Sequence, residues 1–430
     1  MNDDKLALLG GKPRFTAEAT AYPRFTDSAI SRVERLLRAG TTVGLNKQCA
    51  EIDEAEREIA RWQGSGYCLG TSSGHAALQS ALAGLEIASG DEVITTPYTW
   101  GASVSCILHN NAIPVFADVD SETGLLDPET IENQITSRTK GILVVHLYGQ
   151  PADMTRICAI AKKHGLSVVE DGSQAHGALH AGVKVGTFGD AAGFSCMGGK
   201  LLATSEAGYM LTDDEGTYWR AALIGQHMGR SPDPGFPKEY LRCADSLVYT
   251  YRLNPIAAVL LSEQIKKIDD EVDARRRNAD RFRAGIDQLS FVRAPKYAVD
   301  DKPSYHMLTL NYQSEAAPIT RESYIAALKA EGVPVFSYVP SAIPSWPRIQ
   351  PDYSGPRVLW TENIERNGVD YSSVELPGCE KRLAQAIEMG WNYIEYDEGS
   401  MADLAGAFEK VERNVSEVVD WERGNPTAVR

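Results

Sequence analysis

The chain has 430 residues, 43% hydrophobic and 23% charged, which is the composition of a soluble globular protein with one large and one smaller domain. Its formal net charge of -15 and the lack of any basic run disfavour a nucleic-acid partner, because phosphate neutralisation needs clustered Lys and Arg. The seven cysteines are scattered and never spaced as CxxC, which argues against a disulfide framework or a metal site.

The N-terminus has no feature of an exported protein. The segment MNDDKLALLGGKPRF starts with acidic residues, and its apolar run is too short for a signal peptide. No stretch of the sequence approaches the ~20 apolar residues of a membrane-spanning helix. We therefore expect a cytoplasmic protein without a membrane partner.

Short apolar runs alternate with helical patterns between residues 66 and 211, in the order EVITTP, IPVFADV, GILVVHLYG, LSVVEDGS, AAGFSC and GYMLTDD. Near-continuous apolar strands separated by helices are typical of a parallel sheet buried on both faces, which predicts an α/β large domain. Ligands of such sheets bind outside the carboxyl ends of the strands. The site should therefore contain TPYTW, HLYGQ, EDGSQAH and SCMGGK.

Helical periodicity and proline content organise the rest of the chain. The predicted elements are helices over 76–87 and 154–165, a long linking helix over 254–289, a strand over 305–312, a helix over 321–333, a loop over 339–356 and a closing helix over 401–419. These elements predict a large domain over 1–289, including the N-terminal segment and the linking helix. A smaller α+β domain is predicted over 290–430.

Three segments have residues suited to one ligand. GTSSGHAAL, residues 70–78, places small residues before a helix, where free backbone N–H groups can bind a phosphate, although an ordinary N-cap has the same sequence. Asp171 follows an apolar strand, where it can pair with a protonated ring nitrogen or simply cap the next turn. Lys200 follows two glycines, Gly198 and Gly199, but on its own it could be an ordinary surface cation.

Pyridoxal phosphate needs all of these groups at once. Its phosphate requires a helix N-terminus, its pyridinium nitrogen a carboxylate, its aldehyde a lysine, and its flat ring an aromatic partner such as Trp100. The two glycines before Lys200 would leave room for the cofactor. The residues thus indicate a Schiff-base enzyme in which Lys200 is the nucleophile and proton carrier.

Seven ordered motifs resemble one family over most of the chain: GTSSGHAAL, GDEVITTPYTW, IPVFADVD, VVHLYGQPADM, VVEDGSQAHGA, KVGTFGDAAGFS and the GGK lysine. This is the DegT/StrS group of sugar and cyclitol aminotransferases. LALLGGKPRF and SCMGGKLLATSEAGYM look most like its glutamine:scyllo-inosose members from aminoglycoside pathways. The resemblance implies the aspartate-aminotransferase fold (PLP fold type I) and a homodimer with active sites at the subunit interface.

The resemblance also implies residue roles. Lys200 would form the Schiff base, Asp171 would pair with the pyridine nitrogen, and Gln174 would contact the ring hydroxyl oxygen. Trp100 would stack on one face of the ring and Ser173 would lie against the other. The phosphate would be held by Ser73, Gly74, His75 and Ser195.

Two segments depart from the family pattern. Many relatives have an asparagine in a YNYRL motif that reaches the phosphate from the partner subunit, whereas VYTYRLNP has Thr250 at that place. A threonine hydroxyl can still donate, but its reach is shorter. The usual GEGG after the lysine is replaced by SEAGY, which keeps Glu206 and Gly208 and changes only the local turn.

The substrate contacts are less marked in the sequence. The candidates are His146, Tyr148, His176, His227, Arg230 and Arg252. Each histidine could instead belong to a buried polar network, and each arginine to a surface ion pair. An arginine fork suits the donor carboxylate because it binds two oxygens at once, but the sequence does not distinguish Arg230 from Arg252.

The resulting hypothesis is a pyridoxal-phosphate-dependent transamination from an amino acid, by resemblance L-glutamine, to a keto-cyclitol such as scyllo-inosose. The alternatives are an aminotransferase for a nucleotide-linked keto-hexose, which would need a basic patch near the cofactor, and a non-catalytic subunit that only binds the cofactor. A dehydratase of the same fold would have histidine in place of Lys200. A nicotinamide dehydrogenase would need a GxGxxG spacing, which GTSSGHA lacks.

Overall fold

A computed structural model of the chain describes residues 4–40, 49–245, 247–356 and 358–425, except for the side chains of residues 227 and 228. The strands are β1 (Tyr67–Thr71), β2 (Glu92–Thr95), β3 (Ile113–Phe116), β4 (Thr139–Val145), β5 (Ser167–Asp171), β6 (Leu179–His180), β7 (Val183–Lys184), β8 (Ala191–Ser195), β9 (Gly208–Thr212), β10 (Val292–Arg293), β11 (Met307–Tyr312), β12 (Val335–Phe336) and β13 (Ala386–Gly390).

Helices pack against the strands of both sheets. They are α1 (Asp27–Ala39), α2 (Ala50–Gln63), α3 (Gly74–Gly84), α4 (Ala102–His109), α5 (Pro128–Ile131), α6 (Met154–His164), α7 (Glu215–Gly225), α8 (His227–Arg230), α9 (Pro255–Gln264), α10 (Ile268–Ile286), α11 (Arg321–Ala330), α12 (Thr361–Asn367), α13 (Pro377–Gln385), α14 (Glu398–Arg413) and α15 (Val415–Gly424). None of the described helices is long and apolar enough to cross a membrane.

The larger sheet has seven strands in the order β1-β9-β8-β5-β4-β2-β3. Strands β3, β2, β4, β5 and β8 run parallel, whereas β9 is antiparallel to both β8 and β1. This confirms the predicted α/β class and mostly parallel sheet. Because β8, β5, β4 and β2 are neighbours, the loops after their carboxyl ends meet at one edge of the sheet.

Helix α3 is buried along nearly its whole length, because its sequence GHAALQSALAG consists mainly of small and apolar residues. Small side chains allow it to pack closely against β8 on one side and α7 on the other. At Gly84 an added Cβ would lie 2.7 Å from the carbonyl oxygen of Thr217 on α7. This tight packing fixes the position of the N-terminus of α3 relative to the sheet.

The smaller sheet has the strand order β10-β11-β13-β12 and is antiparallel throughout. Its core includes Phe282 of α10, Phe408 of α14, and Trp391, which directly follows β13. Leu6 and Phe15 of the N-terminal segment pack into the same core, although the predicted large domain included that segment. Their apolar side chains complete the smaller core, and the domain boundary at residue 289 stays a prediction.

Two predicted helices are each divided in the structure. The segment 254–289 forms α9 and α10, separated at residues 265–267, and 401–419 is divided between α14 and α15 at Asn414. The first turn of α10 contains three acidic residues, Asp269, Asp270 and Glu271, which favour a helix start through the helix dipole. Hydrophobic periodicity continues across such breaks and therefore does not show them. The proline-rich segment 339–356 forms only short 3-10 turns, as the loop prediction requires.

Candidate active site

The site lies where the loops after β2, β4, β5 and β8 converge, as the sequence predicted from the strand ends. Asp171 is the last residue of β5 and is 4% exposed. Its Oδ2 accepts a 2.6 Å hydrogen bond from Ser103 Oγ, and its Oδ1 accepts a 3.0 Å hydrogen bond from the Ser173 backbone N–H. The carboxylate is thus fixed in orientation, and an ionised carboxylate can accept further hydrogen bonds.

Lys200 lies on the turn that follows β8, and its backbone N–H donates to the carbonyl oxygen of Met197 at 2.9 Å. Burial lowers the pKa of its ammonium group, and the nearby Asp171 carboxylate opposes part of that shift. A Cβ added at Gly198 or Gly199 would make only ordinary contacts, at 3.4 Å and 3.8 Å. The role predicted for these two glycines, to leave room for the cofactor, stays a prediction.

The segment predicted to hold a phosphate lies at the start of α3. Ser73 is the N-cap residue, and its hydroxyl accepts a 3.1 Å hydrogen bond from the N–H of Ala76. A Cβ at Gly74 would lie 2.5 Å from Ser195 Cβ, and one at Gly208 would lie 2.4 Å from the backbone of Ser73. Only glycine fits at these two places, so three chain segments approach closely around the free N–H groups of the helix start.

The His75 side chain contacts a second histidine. Its Nε2 lies 2.8 Å from Nδ1 of His109, and the two rings meet edge to face. Burial and the neighbouring His109 lower the pKa of His75 to about 4, so the ring is neutral at physiological pH. The group of His75 that remains available to a phosphate is its backbone N–H in the first turn of α3.

The Gln174 side chain is held from two sides. Its Oε1 accepts a 2.7 Å hydrogen bond from the backbone N–H of Tyr148, and its Nε2 donates to the hydroxyl of Tyr338 at 3.1 Å. The ring of Tyr338 lies 6.2 Å from the ring of Trp100, measured between centroids. Trp100 itself is 62% exposed, which leaves a face of the indole open for a stacking ligand.

Two histidines lie close to Lys200. His176 is fully buried, and neither of its ring nitrogens has a hydrogen-bond partner. Burial, together with the charge of Lys200, lowers the pKa of His176 to about 3. His306, just before β11, is also influenced by Lys200 and Arg275, and burial with these cations lowers its pKa well below the ordinary value. Both imidazoles that interact with the charge of Lys200 are therefore neutral.

His146 is not at the site, although the sequence made it a substrate candidate. Its Nε2 lies 2.9 Å from Glu170 Oε2, and its Nδ1 accepts a hydrogen bond from the N–H of Ala152 at 3.1 Å. Glu170 precedes Asp171 on β5, and consecutive strand residues point to opposite faces of a sheet. His146 consequently belongs to a buried polar network on the face away from Asp171.

Arg230 is also engaged elsewhere. Its guanidinium pairs with Glu56 at 2.5 Å and donates to the hydroxyl of Tyr218 at 2.7 Å. The same Glu56 carboxylate accepts the N–H of Gly70 on β1 at 2.7 Å. A guanidinium held by an internal carboxylate and a tyrosine has little capacity for a substrate carboxylate, so these contacts do not favour Arg230 as the donor-carboxylate ligand.

Of the remaining candidates, three lie on the segment 227–252, and Tyr148 lies in the turn after β4. The backbone of Arg252 forms a bridge with Thr71 at the end of β1, beside the start of α3. Thr250 is exposed, and the side chain of His227 lies outside the described residues. Tyr148 is fully buried, and its hydroxyl donates to Glu388 at 2.8 Å, so its backbone rather than its side chain faces Gln174.

Four residues of this region were absent from the sequence-based list of site residues: Ser103, His306, Tyr338 and Glu388. Ser103 is the third residue after TPYTW, so its position near the end of that strand could have indicated a site residue. The other three come from the C-terminal third of the chain, where no local pattern links them to the strand ends of the larger sheet.

Residues 25–369 match the sequence model of the DegT/DnrJ/EryC1/StrS aminotransferase family. The chain belongs to this family. It is an aminotransferase whose cofactor is pyridoxal phosphate, and its fold is the type I fold of such enzymes. The predicted family, fold and cofactor are thereby confirmed.

Curated relatives match over nearly their full length. The chain is 32% identical to the L-glutamine:2-deoxy-scyllo-inosose aminotransferase of Streptoalloteichus tenebrarius, over 96% of this chain and 99% of the relative. It is 31% identical to the L-glutamine:scyllo-inosose aminotransferase of Streptomyces griseus, over 97% of this chain and 99% of the relative.

Solved structures agree in fold. The aminotransferase from Psychrobacter cryohalolentis superposes with a TM-score of 0.80 at 29% identity, covering 93% of this chain and all of that chain. S. venezuelae DesV, solved in complex with a ketimine intermediate, gives a TM-score of 0.74 at 26% identity, over 90% and 94% of the two chains.

Proposed function

We propose that this aminotransferase transfers the amino group of L-glutamine to the keto carbon of scyllo-inosose, or of a deoxy or amino derivative of it, in aminoglycoside biosynthesis. The main structural support is the placement of a half-buried lysine of lowered pKa, Lys200, near a fixed carboxylate, Asp171. Full-length similarity to relatives named for this donor and acceptor supports the choice of substrates.

The residues around Lys200 fit the requirements of pyridoxal phosphate. The close approach of Gly74, Ser195 and Gly208 leaves backbone N–H groups of α3 for a phosphate. Asp171 offers an oriented carboxylate to a protonated ring nitrogen, and Trp100 offers an open aromatic face. When bound, the cofactor supplies a carbonyl group for amine exchange and a ring that accepts electrons from the substrate carbon.

Lys200 would carry the proton between the substrate carbon and the cofactor. Both the nucleophile and the general base require the neutral amine, and burial favours that form by lowering the pKa of the ammonium group. The neutral imidazoles of His176 and His306 near the amine add no positive charge at physiological pH. Lys200 can therefore take up and release its proton without competing with a second base of similar pKa.

Arg252 is our candidate for the donor carboxylate. Arg230 is already paired with Glu56. By contrast, the side chain of Arg252 has no hydrogen bond or ion pair to any described residue, and its backbone lies beside Thr71 near the start of α3. An unpaired guanidinium fork can bind both oxygens of an amino-acid carboxylate.

The choice of a keto-cyclitol over a nucleotide-linked keto-hexose rests on the relatives that are named for scyllo-inosose substrates. A cavity of about 990 Å³ extends from Trp100 along α4, and its described lining includes a single Lys or Arg, which is Arg348. The other described residues of the lining include Trp346 and Trp360. The described lining of this cavity is thus largely apolar.

A homodimer with shared active sites is part of the proposal. Thr250, the residue expected to reach a partner's phosphate site, is exposed, and so are Leu247 (86%) and Tyr249 (54%) on the same segment. Exposed apolar side chains of this size are typical of interaction surfaces. Sedimentation of the purified protein should give twice the mass of the chain, and a stable monomer would contradict this part of the proposal.

The experiment is a stepwise titration of the purified protein with pyridoxal phosphate bound. L-glutamine should bleach the yellow band, and scyllo-inosose should restore it. Lys200→Ala should abolish the response to glutamine, and Asp171→Ala should bind the cofactor poorly and transaminate at a small fraction of the wild-type rate. Lys140→Ala, an exposed lysine of β4, is the matched control.

The outcomes separate the candidates. Restoration of the band by a nucleotide-linked keto-hexose, and not by scyllo-inosose, would replace the proposed acceptor. A cofactor that stays bound and yellow with every amino donor would indicate a non-catalytic subunit. Near-normal turnover of Asp171→Ala would remove its proposed role.

A further inference from the structure

The smaller sheet places one buried carboxylate next to the loops of the site. Glu388, in the middle of β13, is 1% exposed. Its Oε1 accepts hydrogen bonds from the hydroxyls of Tyr98 at 2.9 Å and Tyr148 at 2.8 Å. Its Oε2 accepts the backbone N–H of Tyr338 at 3.2 Å. Three tyrosines that are distant in sequence thus converge on one side chain.

Strand alternation shows that Glu388 does not belong to the apolar core of its own sheet. Its neighbours Ile387 and Met389 are fully buried in that core, and a strand presents successive side chains on opposite faces. A buried carboxylate is costly unless donors surround it. A residue that served only to fill this space could be apolar, so the three donors indicate a more specific role.

Two of the three tyrosines hold Gln174. Tyr148 donates its backbone N–H to Gln174 Oε1, and Tyr338 accepts from Gln174 Nε2 through its hydroxyl. Both contacts of the amide therefore come from residues that Glu388 binds. The two contacts also settle which end of the amide is oxygen and which is nitrogen, because a backbone N–H can only donate.

The backbone of Tyr148 needs such an anchor. Its φ of 63° and ψ of 3° lie in the left-handed region, which is unfavourable for a residue with a large side chain. Gly149, which follows, also has a positive φ of 86°. In this conformation the N–H of Tyr148 is directed to Gln174, and the hydrogen bond to Glu388 holds the ring of Tyr148 in place.

We propose that Glu388 is a positioning residue that orients Gln174 toward the bound cofactor through Tyr148 and Tyr338. The inference rests on the proposed function, in which Gln174 contacts the ring hydroxyl oxygen of pyridoxal phosphate. Without the carboxylate, the Tyr148 backbone loses its anchor and relaxes, and the Gln174 amide loses a fixed orientation.

The test compares the visible absorption band and the dissociation constant of pyridoxal phosphate in Glu388→Ala and Gln174→Ala. Both variants should shift the band in the same direction, and both should raise the dissociation constant on the order of tenfold, the loss of one hydrogen bond. The double variant should show no further shift beyond Gln174→Ala, because Glu388 acts only through that residue.

Milder variants keep the test valid if Glu388→Ala does not fold. Glu388→Gln keeps an oxygen for the two tyrosine hydroxyls but cannot accept from the N–H of Tyr338, so it should give a partial shift. Tyr148→Phe removes a single hydroxyl and should also shift the band. If neither variant moves the band, the proposal is wrong.

A matched control separates positioning from general stabilisation. Glu331 is also fully buried, and it pairs with Lys410 at 2.9 Å in the smaller core. Glu331→Gln should lower the melting temperature without a band shift. If the Glu388 variants behave in the same way, or if their shift adds to that of Gln174→Ala, Glu388 does not act through Gln174.

Failure of the underlying function has a different signature. If Gln174→Ala leaves both band and affinity unchanged in an enzyme that still responds to glutamine, the role of Gln174 is wrong and the role of Glu388 fails with it. If the wild-type protein forms no yellow band at all, the proposed function itself is wrong.

Discussion

Removal of the Ser103 hydroxyl tests the environment of the central carboxylate directly. Ser103 and Asp171 are 3% and 4% exposed, and the 2.6 Å distance between Ser103 Oγ and Asp171 Oδ2 is that of a short hydrogen bond to a charged acceptor. In Ser103→Ala the carboxylate keeps one donor, the backbone N–H of Ser173 at 3.0 Å.

The expected cost follows from the loss of a buried, charge-assisted hydrogen bond, which contributes about 1.5–3 kcal/mol. The free energy of unfolding of the apoprotein should fall by that amount in Ser103→Ala. With pyridoxal phosphate bound, the protonated ring nitrogen would give Asp171 a new donor, so the cost should be smaller in the holoenzyme than in the apoprotein.

Urea denaturation of apoprotein and holoenzyme measures both quantities. The control is Ser105→Ala on the same helix, because Ser105 Oγ makes only long contacts, at 3.4 Å to His75 and to the carbonyl oxygen of Ala102. Its cost should stay below about 0.5 kcal/mol. Equal effects of the two substitutions, or an equal cost of Ser103→Ala with and without cofactor, would refute the reasoning.

Three further predictions follow from the structure. Gly208→Ala should weaken pyridoxal phosphate binding at least ~10-fold by equilibrium dialysis, because a Cβ there would lie 2.4 Å from the Ser73 backbone; unchanged affinity would contradict the predicted phosphate site. His176 takes up a proton below about pH 6.5 in the unfolded chain but only near pH 3 in the folded chain. Its contribution to the free energy of unfolding of the wild type should therefore fall by about 1.4 kcal/mol for each pH unit between these two values. His176→Leu should lose this part of the slope in urea titrations at pH 7 and 5, and an identical slope would contradict it. Arg230→Met should lower the free energy of unfolding by about 3–5 kcal/mol, because it leaves Glu56 unpaired. A raised KM for glutamine at unchanged stability would instead indicate that Arg230 binds the substrate.

The contrast between His146 and Asp171 shows where sequence reasoning stops. Both residues follow an apolar strand of the same sheet, so both qualified as site residues. His146 instead pairs with Glu170, on the opposite face of the sheet from Asp171. Which loop residues face the site depends on how each loop leaves its strand, and apolar periodicity does not contain that information.

The contacts between the two sheets could not be predicted from the sequence either. Glu388 and Tyr338 approach the site from a region with no recognisable motif, and Glu388 is separated from Tyr148 by 240 positions in the chain. Likewise, the break between α9 and α10 lies inside a segment that the sequence pattern predicts as one helix. Such features depend on packing partners that are distant in sequence.

The sequence by itself determined the parallel sheet, the family and its cofactor, and it predicted the strand ends that form the site, with Lys200 and Asp171 as the central pair. It could do so because apolar runs, glycine-rich turns and helix starts are local patterns, and because the motifs occur in the order typical of the family. Only the tertiary structure decided that Ser103 holds Asp171, that Arg230 is paired with Glu56, and that Glu388 anchors the tyrosines around Gln174. The physical reason is that buried polar groups must find partners, and folding brings those partners from any part of the chain.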